Sequence, residues 1–435
     1  MLSNGYLSYP TLNTVITFKS LLSTNLHHWF PFDLNFQFKS LVIVVLMQTS
    51  LNRNPLTFMH ILCLAILFSF SSCQKKNAEM VADPKSFKDI FDVFWHKMDN
   101  QYVYWDTEET NWDAIYTQYR PLFENLSFSD PDRKKAAFYF RQMTSELEDG
   151  HYRITFNNKP LLDSIINPSI ARKSLEPGFH APYNYSDIVT PYLDKGYYTA
   201  KGSIINDNAL ISLTTGTIKQ NLLYFNCNFF SLNQSQKAGD AAIVQGLTFF
   251  FSKLNTSGKI QGIIIDLRNN YGGDIGDLNY FAGKLVTADI TFGYIRSKSG
   301  LGHNGYLPWI EAKVKHDPLY QNQYPIVILT DSFTASLCET IILALKADHA
   351  CTVVGEVTYG ATGPLSDPNI FNSGSFDVGA FMKVETSAVE FKTLDNQVIE
   401  SKGIKPDVLV PFNIPAISQG KDLQLEAAIR FLNSK

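Results

Sequence analysis

The chain has 435 residues, 45% of them hydrophobic and 13% aromatic, which is enough apolar material for a sizeable core in roughly two or three domains. Only 18% of the residues are charged and the formal net charge is −4, so no basic surface indicates a nucleic-acid partner. The five cysteines show neither a CxxC pair nor zinc-type spacing, and we expect no metal cluster and no disulfide framework.

The amino-terminal part has the features of an export signal. Residues 59–72 form an apolar run that follows Arg53 and ends directly before Cys73. The run is shorter than the roughly 20 residues that a membrane span requires. Phe70-Ser-Ser-Cys73 resembles a bacterial lipobox, which implies that Cys73 is lipidated and becomes the first residue of the mature protein. An ordinary signal peptide with an incidental cysteine is the alternative.

Residues 1–46 precede this signal, and Met47 begins a segment of normal signal length. We therefore expect residues 1–72 to comprise a doubtful extension and a lipoprotein signal peptide. Residues 73–84 are predicted to be a polar tether. The expected location is the cell envelope: exported and lipid-anchored at a bacterial membrane, on its periplasmic or surface face.

The segment after the tether has apolar residues at helical spacing. It predicts a helix from Ser86, a second over Trp112–Phe123 and a third that ends near Gly150, because glycine commonly follows the last turn of a helix. A short strand, Tyr152–Phe156, follows. We assign 85–156 to an α-helical amino-terminal subdomain.

The remainder alternates between strand-like and helix-like stretches. Residues 157–220 are predicted to be a β-rich connecting region, in which we identify no clear PDZ module. Residues 221–435 contain the alternation that is typical of an α/β fold. The predicted strands are Leu222–Asn226, Ile260–Leu267, Ile326–Leu329 and Thr352–Gly355, and the predicted helices are Ala238–Leu254, Ile275–Val286 and Asp422–Leu432.

Ser336 lies between one of these strands and a further helix that we expect to begin near it. A strand–loop–helix unit presents its loop at the carboxyl edge of a sheet, where open α/β folds place their sites, so Ser336 is a candidate nucleophile. Ser336 and Glu339 also have the spacing of a capping box, which needs no catalysis, and we assign Glu339 to capping. Cys338 is a minor alternative nucleophile.

Three segments together carry a family pattern: Leu147-Glu-Asp-Gly-His151, Asp266-Leu-Arg-Asn-Asn-Tyr-Gly-Gly273, and Thr334-Ala-Ser-Leu-Cys-Glu339 followed by Gly355-Glu-Val-Thr-Tyr-Gly360. In this order they resemble the tail-specific (carboxyl-terminal processing) serine peptidases, including the tricorn-core branch. The resemblance implies a crotonase-like α/β core for the catalytic domain, Ser336 as the nucleophile, and an oxyanion hole from the amide of Gly272 or Gly273 together with that of Leu337.

The resemblance also narrows how the serine is activated. Ala361 stands where dyad-type relatives have a lysine, so a Ser–Lys dyad is excluded unless another lysine reaches the site. The tricorn-core branch implies His151 as the base and Glu400 as the group that orients it, although Glu390 and Asp395 lie nearby in the sequence. That branch has a serine before its histidine, where this chain has Gly150, so the supporting hydrogen bond must come from elsewhere or be missing.

The expected function is a serine peptidase that hydrolyses peptide bonds through an acyl-enzyme on Ser336, with a peptide or protein substrate and no metal or organic cofactor. The alternative is a catalytically degenerate peptidase-fold lipoprotein that binds a ligand or peptide. A third possibility is a lipoprotein that serves only as a partner-docking subunit. The sequence leaves the oligomeric state open.

Overall fold

The computed structural model describes residues 84–205, 209–255, 259–300, 302–321, 324–348, 351–365 and 373–434. These residues form an α/β fold with three sheets. The helices are α1 Phe87–Gln101, α2 Trp112–Phe123, α3 Asp130–Met143, α4 Pro168–Lys173, α5 Ser186–Val189, α6 Leu232–Lys237, α7 Ala241–Leu254, α8 Gly276–Phe281, α9 Leu337–Ala347, α10 Ile414–Ile417 and α11 Leu423–Asn433. None of the helices in this part of the chain is both long and apolar enough to cross a membrane.

The strands are β1 Arg153–Phe156, β2 Ile165–Ile166, β3 Tyr198–Ile205, β4 Ala209–Ile218, β5 Leu222–Cys227, β6 Gly262–Asp266, β7 Ile290–Ser297, β8 Ile310–Val314, β9 Ile326–Thr330, β10 Cys351–Gly355, β11 Ser375–Val378, β12 Met382–Glu385, β13 Val389–Thr393 and β14 Val408–Leu409. The largest sheet has seven strands in the order β14-β10-β9-β6-β5-β4-β3. Its strands from β14 to β5 are parallel, and β4 and β3 are added antiparallel.

Both faces of the seven-stranded sheet are covered along its centre, since every residue of β6 and β9 is buried. In β6, Ile263 and Ile265 pack into one core with α7 and α9, whereas Ile264 packs into the opposite core with α11. Successive side chains of a strand point to opposite faces, which produces this division. A continuous apolar run is therefore what this position requires.

The first three helices pack on a four-stranded antiparallel sheet of order β11-β12-β1-β2. Their shared core is largely aromatic; Phe94, for example, makes edge contacts with the rings of Trp112 and Phe140. All four residues of β1, Arg153–Phe156, pair with β12, although the two strands are more than 200 residues apart in the chain. A third sheet has the order β13-β7-β8. The domain boundaries proposed from the sequence stay predictions.

Two predicted helices differ from the structure. The helix predicted as Ala238–Leu254 is α7, which begins at Ala241 because Gly239 adopts a φ of 73° before it, and the preceding α6 was not predicted. The stretch predicted as Ile275–Val286 is the six-residue α8 followed by a single 3-10 turn. The predicted export signal and Cys73 lie outside the described residues.

The site follows from the pairing of β6 with β9. These parallel neighbours pair Asp266 with Leu329, so the loops that leave their carboxyl ends run side by side. One loop reaches the Gly272-Gly273 turn, and the other reaches Ser336. Two chain segments that are distant in sequence thereby meet at one edge of the sheet, where open α/β folds place their sites.

Candidate active site

Ser336 occupies the N-cap of α9 with a φ of 57° and a ψ of −119°. A positive φ is strained for a residue with a β-carbon, and such strain persists only where the surroundings impose it. The Ser336 N–H donates to Glu339 Oε2 at 3.0 Å, and the hydroxyl lies within reach of His151. The sharp turn thus presents Oγ at the cleft.

Glu339 does more than cap the helix, as its buried carboxylate also accepts from the Gly360 and Ala361 N–H groups, both at 2.8 Å, and from the Thr358 hydroxyl. Burial raises the pKa of this carboxyl, while the hydrogen bonds oppose the shift. Glu339 therefore connects the serine turn with the following Gly-Ala loop.

His151 lies directly against the serine, with Nε2 at 3.1 Å from Ser336 Oγ. Burial lowers the pKa of its imidazole to about 4; the nearby Arg153 lowers it further and Glu385 opposes this. The ring is consequently neutral near pH 7 and can accept the serine proton. The structure thus brings together these two residues, which are 185 positions apart.

The other ring nitrogen faces a residue that the sequence did not single out. His151 Nδ1 lies 3.3 Å from Ser387 Oγ, in the turn between β12 and β13. The Ser387 hydroxyl donates to Asp149 Oδ1 at 2.8 Å. Asp149 belongs to the quoted Leu147–His151 motif, but Ser387 stands in an unremarkable Thr-Ser-Ala stretch that carries no sequence signal.

The structure does not place Glu400 in hydrogen-bonding contact with His151. Its Oε1 accepts from the Gly150 N–H at 2.8 Å, and its Oε2 accepts from the N–H and hydroxyl of Thr362, both at 2.7 Å, and from the Gly363 N–H at 3.0 Å. Glu400 is still close, because one oxygen of Glu400, one of Asp149 and a ring nitrogen of His151 all lie within 4.8 Å of one another.

The two other acids considered for this position lie elsewhere. Glu390 accepts from Arg296 Nε at 2.7 Å on β13, and Asp395 accepts from the Thr393 hydroxyl at an exposed turn. Of the three acids, Glu400 is the one in the site. Burial and the neighbouring Asp149 raise the pKa of Glu400.

Gly150 and Ala361 pack against each other beside the histidine. A β-carbon on Gly150 would lie 2.6 Å from the Gly360 carbonyl oxygen and 2.7 Å from Ala361 Cβ. No side chain fits at position 150 without displacing this loop. Lys173, which donates to the Ser401 carbonyl oxygen, makes no contact with Ser336 among the described residues.

The Gly-Gly turn lies against the start of α9. A β-carbon on Gly272 would be 2.8 Å from both Leu337 N and Ser336 Cβ, and one on Gly273 would be 2.0 Å from the Phe230 carbonyl oxygen. The Gly272 N–H already donates to Asn270 Oδ1 at 2.9 Å. Within the part of the chain that the structure describes, the N–H groups of Gly273 and Leu337 donate to no protein acceptor, so these two are the available oxyanion donors.

A cleft of about 270 Å³ opens beside the serine. Its described lining contains no charged side chain and consists of Gly273, Ile275, Ser336, Leu337, Thr340, Thr362, Pro364 and Leu365. Ile275 and Leu365 each keep about half of their surface exposed at the site. An uncharged cleft of this size, with the apolar side chains of Ile275, Leu337 and Leu365 in its lining, accommodates one apolar side chain of a ligand.

Neither the alternative nucleophile nor a bound cation fits the site well. Cys338 is fully buried, donates to the Asn270 carbonyl oxygen and has a pKa raised well above its ordinary value by burial. Asp149, His151 and Glu400 have metal-ligand character, but all four carboxylate oxygens already accept N–H or O–H donors. A cation would have to displace these donors.

Two family models match parts of the chain. Residues 232–410 match the model of peptidase family S41, and residues 83–128 match the model of the tricorn protease C1 domain. The carboxy-terminal processing protease CtpB of Bacillus subtilis (strain 168) is 25% identical over 152 residues, which are 35% of this chain and 28% of that protein. The chain thus spans about a quarter of the length of this curated relative.

Two solved structures share the fold. A protein of Parabacteroides merdae ATCC 43184, provisionally described as a peptidase, superposes with a TM-score of 0.62 at 21% identity, covering 80% of this chain and 97% of its own. Mature CPAF gives a TM-score of 0.51 at 12% identity, covering 80% and 96%. The stretch that matches the peptidase family S41 model contains the Gly-Gly turn, Ser336 and Glu400.

Proposed function

We propose that this protein is a serine peptidase that hydrolyses peptide bonds through an acyl-enzyme on Ser336. The observation that carries the proposal is the 3.1 Å contact between His151 Nε2 and Ser336 Oγ at a strained turn beside two unused N–H donors. A serine hydroxyl becomes a nucleophile when a neighbouring base takes its proton, and the neutral His151 ring is such a base.

The proposed reaction begins when Ser336 Oγ attacks the carbonyl carbon of the peptide bond and its proton passes to His151 Nε2. The Gly273 and Leu337 N–H groups donate to the oxyanion that forms. The C–N bond then breaks, and His151 gives the proton to the departing amine, which leaves an ester on Ser336. Water that His151 deprotonates hydrolyses this ester and restores the serine.

Glu400 stays in the proposed site as a positioning residue. It binds the Gly150 N–H on one side and the N–H groups of Thr362 and Gly363 on the other. These bonds fix the backbone directly before His151 against one wall of the cleft. We infer that Glu400 supports His151 through this attachment, in a histidine-based site of the tricorn-core type on a crotonase-like core.

The proposed substrate is a peptide or protein segment with an apolar side chain next to the scissile bond, because the described lining of the cleft is uncharged. Cleavage near a carboxyl terminus, which the name of the Bacillus relative states for that protein, is part of the proposal. We further propose export and lipid anchoring through Cys73. Loss of labelled fatty acid from a Cys73→Ser variant would support the anchor, and unchanged labelling would contradict it.

The competing function is ligand binding on an inactive scaffold. It is tested by incubating the purified protein with a peptide library and identifying the products by mass spectrometry. We expect cleavage after apolar residues in the wild type and a loss of at least about 10³-fold in Ser336→Ala and His151→Ala. Retention of intact peptides by a well-folded wild type, without any cleavage, would favour the binding protein instead.

A further inference from the structure

We propose that Ser387 and Asp149 together form the positioning unit that fixes the tautomer of His151, in place of a serine directly before the histidine. This inference rests on the proposed hydrolase function and names the group that supports its base. It begins from the packing of Gly150, where Gly360 and Ala361 leave no room for a side chain. A side chain that contacts His151 Nδ1 therefore has to come from another segment.

Ser387 supplies a hydroxyl from a turn between two strands of different sheets. Its side chain is fully buried. Its Oγ lies 2.8 Å from Asp149 Oδ1, 3.1 Å from the Gly363 carbonyl oxygen and 3.3 Å from His151 Nδ1, and its backbone N–H donates to Asp149 Oδ2 at 2.7 Å. Two bonds to one carboxylate hold the serine in place.

The direction of the hydrogen bonds follows from counting protons. A hydroxyl has one proton to donate and can accept with its lone pairs. Ionised Asp149 can only accept, and its charge makes it the strongest acceptor near Ser387 Oγ. The Ser387 proton therefore goes to Asp149, and its lone pair accepts from His151 Nδ1–H. The lone pair of Nε2 is then left facing Ser336 Oγ.

The surroundings of Asp149 suit an ionised carboxylate. Asp149 accepts the backbone N–H groups of His151 and Ser387 as well as the Ser387 hydroxyl. Burial raises the pKa of both carboxyls, and the charge of Asp149 raises that of Glu400 further. Asp149 is the member of this acidic pair that is linked to the ring through Ser387.

The first test compares Ser387→Ala, Asp149→Asn and Ser387→Thr, with Ser235→Ala as a control that removes a buried serine hydroxyl from α6. We expect Ser387→Ala and Asp149→Asn to lower kcat by about 10²-fold with KM nearly unchanged, because a misoriented base weakens proton transfer and not binding. Ser387→Thr should recover most of kcat, and Ser235→Ala should leave it unchanged. Wild-type kcat in both Ser387→Ala and Asp149→Asn would overturn the proposal.

A second readout does not depend on activity. In ¹⁵N-histidine-labelled protein, NMR distinguishes an imidazole protonated at Nδ1 from one protonated at Nε2, and His151→Gln identifies the signal of His151. We expect the Nδ1–H form in the wild type. In Asp149→Asn the amide donates to Ser387, the hydroxyl turns towards Nδ1, and the Nε2–H form should appear.

The same tautomer in the wild type and in Asp149→Asn would refute the positioning unit even if the enzyme is active. The converse outcome is that the tautomer of His151 differs as expected between the wild type and Asp149→Asn while the wild type cleaves no peptide. That result would refute the proposed function and leave the positioning unit standing. If Asp149→Asn does not fold, the Ser387→Ala and Ser387→Thr pair decides the outcome.

Discussion

At the scale of single residues, the site depends on a histidine that is kept neutral and a serine that is kept strained. Both properties result from contacts with the surrounding protein and not from the contact between the histidine and the serine. Burial shifts the pKa of His151 downward, and the bond from the Ser336 N–H to Glu339 stabilises the unusual backbone at Ser336. A strained turn held in this way presents the hydroxyl to a substrate before the substrate arrives.

The lowered pKa of His151 predicts activity that persists into acid. The base works only when neutral, and with a pKa of about 4 instead of the ordinary 6.5 it stays neutral as the pH falls below 6. We therefore expect the acid limb of kcat/KM to lie below 6.5. The shift also means that the free energy of unfolding falls as the pH drops from 6.5 towards 4, because the unfolded histidine takes up the proton first.

Four titratable groups lie around the ring, and two of them offer a matched pair of variants. Arg153 disfavours the imidazolium and Glu385 favours it, while Asp149 and Glu400 lie within 4.8 Å. Arg153→Gln should move the acid limb to higher pH, and Glu385→Gln should move it to lower pH. An acid limb at or above 6.5 in the wild type, or shifts in the same direction in both variants, would rule out this account of the base.

At the scale of elements, the site is assembled where the loops after β6 and β9 meet. Apolar periodicity predicted both strands to within a few residues, because strands buried on both faces are continuous apolar runs. The helix after Ser336 was predicted because its apolar residues recur at helical spacing. Helix α6 was not predicted, since its sequence LNQSQK contains a single apolar side chain and therefore shows no apolar periodicity.

The close packing of the Gly-Gly turn predicts a large loss of kcat when a single methyl group is added at Gly273. In Gly273→Ala the new β-carbon would lie 2.0 Å from the Phe230 carbonyl oxygen, so the turn must move and its N–H must leave the oxyanion position. Removing one such donor commonly costs about 10²- to 10³-fold in kcat, and steady-state peptide cleavage would measure it.

Gly196→Ala is the matched control for this loss. Gly196 also has a left-handed φ, 94°, but no atom lies within 4 Å of an added β-carbon. Its alanine variant should lose about 1 kcal/mol of stability through backbone strain and keep wild-type kcat. Equal kcat in the wild type and Gly273→Ala would exclude the Gly273 N–H from catalysis.

At the scale of the whole molecule, contacts between residues that are distant in the chain form the parts of the site that the sequence did not predict. Arg268 directly follows β6 and is fully buried against Asp266, Asp422 and Gln424, so it ties the catalytic edge of the sheet to α11 across more than 150 residues. Ser387 reaches His151 across 236 residues. Such pairings have no periodic signature, and a search for motifs finds them only when they belong to a known pattern.

The same reasoning explains the different outcomes for the proposed site residues. Ser336 and His151 stand in short motifs with fixed neighbours, and the structure brings them together. Glu400 was expected to contact the ring and instead binds the backbone around it, because Gly150 turns its own N–H towards the carboxylate. The position of a side chain in a motif indicates a site, but packing determines which atom it contacts.

The most direct measurement of the central claim is active-site labelling of the protein with a fluorophosphonate, followed by mass spectrometry of its peptides. This probe reacts with serines that a neighbouring base activates. We predict a single modified peptide that carries the label on Ser336, with labelling lost in Ser336→Ala and strongly reduced in His151→Ala. A folded wild type that remains unlabelled, or a label on another serine, would contradict a histidine-activated Ser336.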